Sequence, residues 1–354
     1  IFDLTAVLNC ILDLGDIPSS LKIHRTTLIP KTIADLHLAT NWRPITISSV
    51  MSRLLNRVLA SRLQQRVKLC PRQKAFVPTD GCLINTLTLD AVIREARRRK
   101  TEVNIVALDV SKAFDSVSRH SMSRALRRFG VCEEFIAFVE SSYTGCTTTI
   151  TAGTTECKSV AMTRGVKQGD PLSPMLFNMV IDELLSTLPP TIGFPLGDQL
   201  VNCLGFADDV VLVSSSKAGM DSLLHQSSTF FASRNLKLNV QKSFVMRLVP
   251  SVKNRIVVVD RSPRFMLQGS PLQVVSHSNP FKYLGINYDP SGKLSLNLDS
   301  LHVVGKTPPL TTQTSTESLS FTLSSTSSLC VSADSWQDYD RSLRTIRPTS
   351  SSVY

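Results

Sequence analysis

Two short apolar segments of the sequence end in aspartate. Val103–Leu108 has the length and composition of a buried strand, and Asp109 follows it directly. The segment Val201–Val213 has two β-rich arms around Ala207-Asp208-Asp209, which is typical of a hairpin with a carboxylate pair at its tip. Because burying an isolated carboxylate is costly, each strand end must face water, a cation or a partner. The chain must fold so that these ends are accessible.

The Asp208-Asp209 pair has two interpretations when it is considered alone. Paired aspartates are common in turns, where their short side chains bond the local backbone. If Asp109 lies beside the hairpin, however, three carboxylates share one small region, and a cation is needed to offset their repulsion. Mg²⁺ is the cation that such oxygen ligands favour, with Mn²⁺ as an alternative. The flanking residues must decide between a turn and a metal site.

The charge balance of the chain favours a polyanionic partner. Lys and Arg number 39 against 28 Asp and Glu, which gives a formal net charge of +11. The same excess is also typical of an ordinary solvated surface, so charge alone does not select nucleic acid. The eight cysteines include no C-x-x-C pair, which argues against a zinc module or a disulfide framework and favours a reducing, intracellular setting. No apolar run approaches the roughly 20 residues of a membrane span, so we expect no membrane partner.

Apolar periodicity predicts helices mixed with strands, which is an α+β pattern. The predicted helices are 1–16, 48–69, 85–99, 119–129, 133–142, 171–188 and 218–233. The predicted strands are 21–30, 103–110, 147–151, 159–163, 201–213, 237–248, 255–260, 272–275 and 281–288. We expect 1–16 to be the helix of a truncated upstream region, because the chain opens at Ile1 inside an apolar-periodic stretch. Residues 306–354 are rich in Ser and Thr and are predicted to be a disordered or non-native tail.

Three motifs carry a resemblance to a known family. Leu108-Asp109-Val110-Ser111-Lys112-Ala113-Phe114-Asp115 resembles the first catalytic motif of reverse transcriptases, and Arg164-Gly165-Val166-Lys167-Gln168-Gly169-Asp170-Pro171 resembles their template- and nucleotide-binding motif. Gly205-Phe206-Ala207-Asp208-Asp209 resembles their catalytic hairpin, in the form common in retrotransposons that lack long terminal repeats. The order and spacing match from about residue 20 to about residue 290. Within the family, the sequence looks most like the clade whose elements insert into ribosomal RNA genes.

The resemblance implies a role for particular side chains. The metal ligands and catalytic carboxylates would be Asp109, Asp208 and Asp209, and Lys242 would be the general acid for the leaving pyrophosphate. The nucleotide-binding residues would be Lys31, Arg43, Lys112, Phe114, Gln168 and Gly169, with the Phe114 ring excluding a ribose 2′-hydroxyl. The primer grip would comprise Phe281, Tyr283, Leu284 and Gly285. Without the resemblance, the cations are ordinary solvated side chains and Phe114 is an ordinary core residue.

The resemblance also implies a fold and a function. The fold would be a right-hand polymerase with fingers and an antiparallel palm sheet flanked by helices, in a reverse transcriptase domain over residues 17–305. No thumb is recognisable in the sequence. The reaction would be Mg²⁺-dependent addition of deoxynucleoside triphosphates to a DNA primer on an RNA template. An intracellular protein acting in the nucleus, with a cytoplasmic ribonucleoprotein, is expected.

Two alternatives remain open from the sequence. The first is a catalytically inactive RNA-binding remnant or a maturase-like splicing factor with the same fold, which the missing thumb favours and the intact aspartates oppose. The second is an RNA-dependent RNA polymerase. Phe114 and the Phe206-Ala207-Asp208-Asp209 form argue against that second alternative.

Overall fold

The computed structural model describes residues 2–31, 35–152, 155–157, 159–251, 256–262, 265–276, 280–288 and 294–296. Its α-helices are α1 Phe2–Leu14, α2 Val50–Arg66, α3 Gly81–Arg99, α4 Ala113–Ser116, α5 Arg119–Arg128, α6 Glu133–Tyr143, α7 Ser173–Thr187 and α8 Lys217–Ser233. Its strands are β1 Ile23–Pro30, β2 Trp42–Ile47, β3 Val103–Leu108, β4 Thr147–Ala152, β5 Thr155–Glu156, β6 Val160–Ala161, β7 Phe194–Leu196, β8 Gln199–Val201, β9 Cys203–Phe206, β10 Asp209–Ser214, β11 Phe244–Ser251, β12 Ile256–Val259, β13 Met266–Leu267, β14 Ser270–Pro271, β15 Gln273–Val274, β16 Phe281–Tyr283, β17 Ile286–Tyr288 and β18 Leu294–Leu296. This mixture confirms the predicted α+β class.

Two larger sheets organise the chain. The first has the order β2-β1-β4-β5, with β6 also paired to β4, and β1 lies parallel to β4 but antiparallel to β2. The second has the order β12-β11-β3-β10-β9 and is antiparallel along this path, with β15 added in parallel to β11. The strand that ends at Asp109 therefore lies beside the hairpin that carries Asp208. The second sheet thus brings Asp109 and Asp208 together, although they lie about one hundred residues apart in the sequence.

The second sheet is buried on both faces. Successive side chains of a strand point to opposite faces, so each strand contributes to two cores. Val106 and Leu212 face a large core that includes residues of α5, α6, α7 and α8. Ile105 and Val211 face a smaller core formed with α3 and the β16–β17 hairpin. An apolar strand enclosed in this way can expose polar groups only at its ends. The site is consequently found at the end of the sheet.

Helix boundaries follow from capping residues. Asp80 accepts a hydrogen bond from the Leu83 backbone N–H, so α3 begins at Gly81, four residues before the predicted start. Ser49 and Ser216 cap α2 and α8 in the same way. None of the helices in the described ranges is long and apolar enough to cross a membrane.

One predicted strand is interrupted. The sequence predicts a strand over 237–248, whereas Val240–Lys242 forms a short 3₁₀ turn and β11 begins only at Phe244. The Asn239 side chain accepts a hydrogen bond from the Lys242 backbone N–H. Such local side-chain bonds compete with strand pairing. The predicted tail, 306–354, lies outside the described residues.

Candidate active site

A cleft of about 790 Å³ lies between the end of the second sheet and the first sheet. Among its lining residues are eight predicted site residues, which come from four separate parts of the sequence: Lys31, Arg43, Asp109, Lys112, Phe114, Gln168, Gly169 and Asp208. The fold thus brings the predicted nucleotide-binding residues together with two of the three predicted catalytic carboxylates. A cleft of this volume is of the size that small-molecule ligands occupy.

Asp109 is held at the end of β3 by the segment before β11. Its backbone N–H donates to Ser243 Oγ at 3.1 Å, and its carbonyl oxygen accepts from the Asn239 backbone N–H at 2.8 Å. Burial raises the pKa of the Asp109 carboxyl, while Lys242 and a hydrogen bond from the Asn239 side chain act in the opposite direction. The backbone around Asp109 is thereby fixed while its carboxylate stays only half-buried at the cleft.

The catalytic hairpin presents its two aspartates differently. Asp208 belongs to the two-residue loop and lines the cleft, whereas Asp209 is the first residue of β10 and pairs with Phe206. Loss of hydration raises the pKa of both carboxyls, that of Asp209 to about 6, and the nearby Asp109 carboxylate raises both further. These three groups are therefore close enough to repel one another.

The donor chemistry of this cluster suits a divalent cation. Among the described residues, no group of three or more Asp, Glu, His or Cys side chains is already arranged to hold a metal ion. Mg²⁺, however, typically keeps several water ligands and takes only one or two carboxylates together with substrate phosphates. Asp109 and Asp208 at the cleft meet that requirement. Loss of hydration and, after it, repulsion raise the pKa values of Asp208 and Asp209, and a cation there would offset the repulsion.

Three cations line the cleft. Lys31 and Arg43 are exposed beside the first sheet, and Lys112 is exposed in the segment after Asp109. The charges of Lys112 and Lys31 reach the half-buried Asp115 carboxyl, whose pKa loss of hydration raises. Arg is suited to phosphate oxygens by its forked donors, and Lys acts as a compact charge. A triphosphate in the cleft would thus meet both these cations and the predicted catalytic carboxylates.

The Gln168-Gly169 turn is docked on the first sheet. The Thr46 backbone N–H donates to the Gln168 carbonyl at 2.7 Å. Gly169 has φ +108°, and a Cβ there would lie 2.9 Å from the Thr46 carbonyl oxygen. Only glycine fits both restrictions. Glycine at 169 is therefore required for packing of the turn against β2.

Phe114 is partly buried and lines the cleft, so it serves both as packing and as a wall. Its ring stacks on Phe177 with centroids 4.3 Å apart and meets Phe76 edge-to-face at 6.4 Å. Phe177 is buried and packs against the inner face of the Phe114 ring, whereas Phe76 is 54% exposed and itself lines the cleft. The stack restricts rotation of the Phe114 ring at the cleft wall.

The remaining predicted site residues lie outside the cleft lining. Lys242 is exposed on the 3₁₀ turn, where its charge lowers the pKa of Asp109. The predicted primer grip forms the β16–β17 hairpin, with Leu284 and Gly285 as its two loop residues at φ +48° and +86°. Positive φ at both loop positions is typical of a type I′ turn. Phe281 and Tyr283 are buried against the second sheet and α3.

Asn85 connects this hairpin to the catalytic one. Its Nδ2 donates to the Gly205 carbonyl at 3.0 Å and to Tyr283 Oη at 3.1 Å, and both side chains are buried. Sequence reasoning missed Asn85, as it missed the Asn239 and Ser243 contacts to Asp109. The sequence pattern predicts only a helix around Asn85 and only a strand around Asn239 and Ser243. No sequence signal distinguishes such an amide or hydroxyl from a surface residue.

The fold and the cleft define the palm and fingers of a right-hand polymerase. Residues 29–288 match the reverse transcriptase (RNA-dependent DNA polymerase) family. The chain belongs to that family. The resemblance found in its three motifs is thereby confirmed.

Curated relatives place the chain near one group of retrotransposons. It is 38% identical over 291 residues to the Pol polyprotein of the R2DM element of Drosophila melanogaster, covering 82% of this chain and 27% of that protein. It is 40% identical over 281 residues to an R2 Pol polyprotein of Popillia japonica, covering 78% of this chain and 39% of that protein. The chain therefore spans well under half the length of these relatives.

A solved structure agrees on the fold. The telomerase of Candida tropicalis, solved with a TWJ fragment of telomeric RNA, superposes with a TM-score of 0.50 at 11% identity, covering 80% of this chain and 46% of that one. The likeness confirms the predicted right-hand polymerase fold.

Proposed function

We propose that this domain extends a DNA primer with deoxynucleotides on an RNA template, as part of a retrotransposon polyprotein that is related to R2. The observation that carries the proposal is the joint presence of Asp109, Asp208, Phe114 and Gln168 on one cleft. Placed as they are on this cleft, these residues can bind a triphosphate beside a primer terminus. The chain's membership of the reverse transcriptase family supports RNA-directed DNA synthesis over other kinds of nucleotidyl transfer.

The residues divide the reaction between them. Lys31, Arg43 and Lys112 bind the triphosphate, and Gln168 with the Phe114 ring orients and selects its sugar. Asp109 and Asp208 would hold Mg²⁺, which when bound would activate the primer 3′-hydroxyl and stabilise the leaving pyrophosphate. Lys242 stands near Asp109 and is proposed to supply the proton that the pyrophosphate takes up. The primer-grip hairpin is proposed to hold the primer terminus, and Asn85 ties it to the catalytic hairpin.

The partners of the domain follow from this reaction. They are an RNA template, a DNA primer and deoxynucleoside triphosphates, in agreement with the excess of basic residues in the sequence. A nuclear site of action with a cytoplasmic ribonucleoprotein stays a proposal. An inactive RNA-binding remnant would have no need for these cations and carboxylates to line one cleft.

Primer extension tests the proposal. The protein is incubated with a primed RNA template and Mg²⁺, with either deoxynucleotides or ribonucleotides, and a primed DNA template serves as a comparison. We expect extension on RNA with deoxynucleotides and little with ribonucleotides. RNA binding without extension would support the inactive remnant instead, and preferential use of ribonucleotides would support an RNA polymerase.

A further inference from the structure

The loop of the catalytic hairpin has an unusual backbone immediately before Asp208. Phe206 and Asp209 are paired, so only Ala207 and Asp208 form the loop, and Ala207 has φ +54°. Two-residue hairpin loops that need a positive φ at the first loop position usually carry glycine there, because a Cβ crowds the backbone in this region. Ala207 has that Cβ and is buried. Its conformation therefore depends on neighbouring groups that hold it.

Gln73 contacts this backbone directly. Its Oε1 accepts a hydrogen bond from the Ala207 N–H at 2.9 Å and from the Ala75 N–H at 3.0 Å. The Gln73 side chain is 2% exposed, so water does not compete for these bonds. The segment that contains it is fastened to β9 as well, because Lys74 N–H donates to the Gly205 carbonyl at 2.9 Å. Gln73 is thus a fixed acceptor placed against the strained position.

Packing alone gives no reason for an amide at residue 73. Gln73 Nε2 is buried without a hydrogen-bond partner among the described residues, which lowers stability relative to an apolar side chain of similar size. The two backbone N–H groups that Oε1 accepts do require a polar atom. One of these N–H groups belongs to Ala207, the residue before Asp208. The Gln73 amide therefore supports the catalytic hairpin directly.

We infer that Gln73 is a positioning residue, which holds Ala207 in the left-handed conformation and thereby directs the Asp208 carboxylate into the cleft. Gln73 is not a lining residue of the cleft, so it acts through Ala207 and not on the substrate. The importance of Asp208 rests on the proposed function, whereas the hold on Ala207 does not. The two parts can be tested separately.

Amide exchange tests the hold on Ala207 without any activity measurement. In the protein labelled with ¹⁵N-alanine, the Ala207 and Ala75 amides are compared in wild type and in Gln73→Met, which keeps the size but removes the acceptor. We expect both amides to exchange at least about tenfold faster in the variant, while the Ala96 amide inside α3 is unchanged. Equal exchange of Ala207 in both proteins would overturn the inference.

Kinetics tests the link to Asp208. Gln73→Met is expected to lower kcat by about tenfold or more with the KM for deoxynucleotides nearly unchanged, because the damage falls on the reacting geometry. In an Ala207→Gly background the same substitution should cost less than about threefold, since glycine adopts positive φ without help. Equal losses in both backgrounds would contradict the inference.

A control separates positioning from general destabilisation. Asn178 donates from Nδ2 to the Ala75 carbonyl at 2.7 Å and so supports the same segment without touching Ala207. Asn178→Leu should lower the melting temperature, and its loss of kcat should be the same whether residue 207 is Ala or Gly. If wild type shows no extension at all, the proposed function fails, and amide exchange still decides whether Gln73 holds Ala207.

Discussion

Gln168 and Asp115 join two walls of the nucleotide cleft, because Gln168 Nε2 donates a hydrogen bond to Asp115 Oδ1 across 2.7 Å. Gln168 belongs to the turn docked on β2, and Asp115 belongs to the short helix after Asp109. Both residues line the cleft. The bond therefore sets the distance between the Gln168-Gly169 turn and the wall that carries the Phe114 ring.

Breaking this bond should weaken nucleotide binding more than catalysis. Gln168→Met removes both the bond that positions the turn and the donor proposed to contact the nucleotide, so it should raise the KM for deoxynucleotides roughly tenfold or more. Steady-state primer extension measures the change. Gln226→Met, which removes a comparable side-chain bond to Ser222 on α8, is the control and should leave KM unchanged. A fall in kcat alone would show that Gln168 does not contact the bound nucleotide.

Removing the Phe114 ring should admit ribonucleotides. Phe114→Ala opens the cleft wall where a 2′-hydroxyl would otherwise clash, and relative ribonucleotide incorporation should rise about tenfold or more. Phe114→Tyr keeps the ring and should keep the discrimination. Competition between the two sugar types on one template measures the ratio. If Phe114→Ala leaves that ratio unchanged, the ring is only packing against Phe177.

The carboxylate cluster predicts a pH-dependent stability. A raised carboxyl pKa stabilises the folded protein fully below the unfolded value of about 3.8, and that stabilisation is lost as pH rises towards the folded value. Loss of hydration, with repulsion from Asp208 and Asp109, raises the folded pKa of Asp209 to about 6, so its unfavourable charge is complete only above that pH. Asp209→Asn should raise the melting temperature in EDTA by about 1–3 °C at pH 8, but not at pH 4.

The control for this prediction is an aspartate far from the cluster. Asp221 forms an exposed salt bridge with Lys217, and Asp221→Asn should not raise the melting temperature at pH 8. Excess Mg²⁺ should reduce the difference between wild type and Asp209→Asn, because a bound cation offsets the same repulsion. A larger gain at pH 4 than at pH 8 would show that Asp209 is not in a repulsive environment.

Truncation separates the palm from the Ser/Thr-rich tail. The Ser- and Thr-rich composition of 306–354 predicts too little apolar surface to offset roughly 1–2 kcal/mol of backbone ordering per residue, so a cut after Gly305 should leave the melting temperature unchanged. A cut before Phe281 should lower it by more than about 10 °C, because Phe281, Tyr283 and Tyr288 are buried against α3 and the second sheet. Thermal unfolding of the two fragments checks both. Equal melting temperatures for the two fragments would contradict this account.

Much of the site could be predicted because its chemistry is concentrated in short motifs. Asp109 follows an apolar strand, and strands pair at a register that places its end beside Asp208, so local pattern and tertiary position agree. The supporting residues could not be predicted in this way. Gln73, Asn85 and Ser243 act through hydrogen bonds that include partners more than one hundred residues away in the sequence. Such contacts depend on tertiary packing, which produces no periodic pattern in the sequence.

The most direct test of the account compares catalysis with binding in Asp208→Ala. Asp208 is expected to act on the transition state through a bound cation, so extension should fall by about 10³-fold or more while affinity for a primed RNA template stays within about threefold. The Asp198→Ala variant, at a residue in the β7–β8 loop that does not line the cleft, should retain wild-type extension. Extension by Asp208→Ala at more than about a tenth of the wild-type rate would contradict the assignment of this cleft as the polymerase active site.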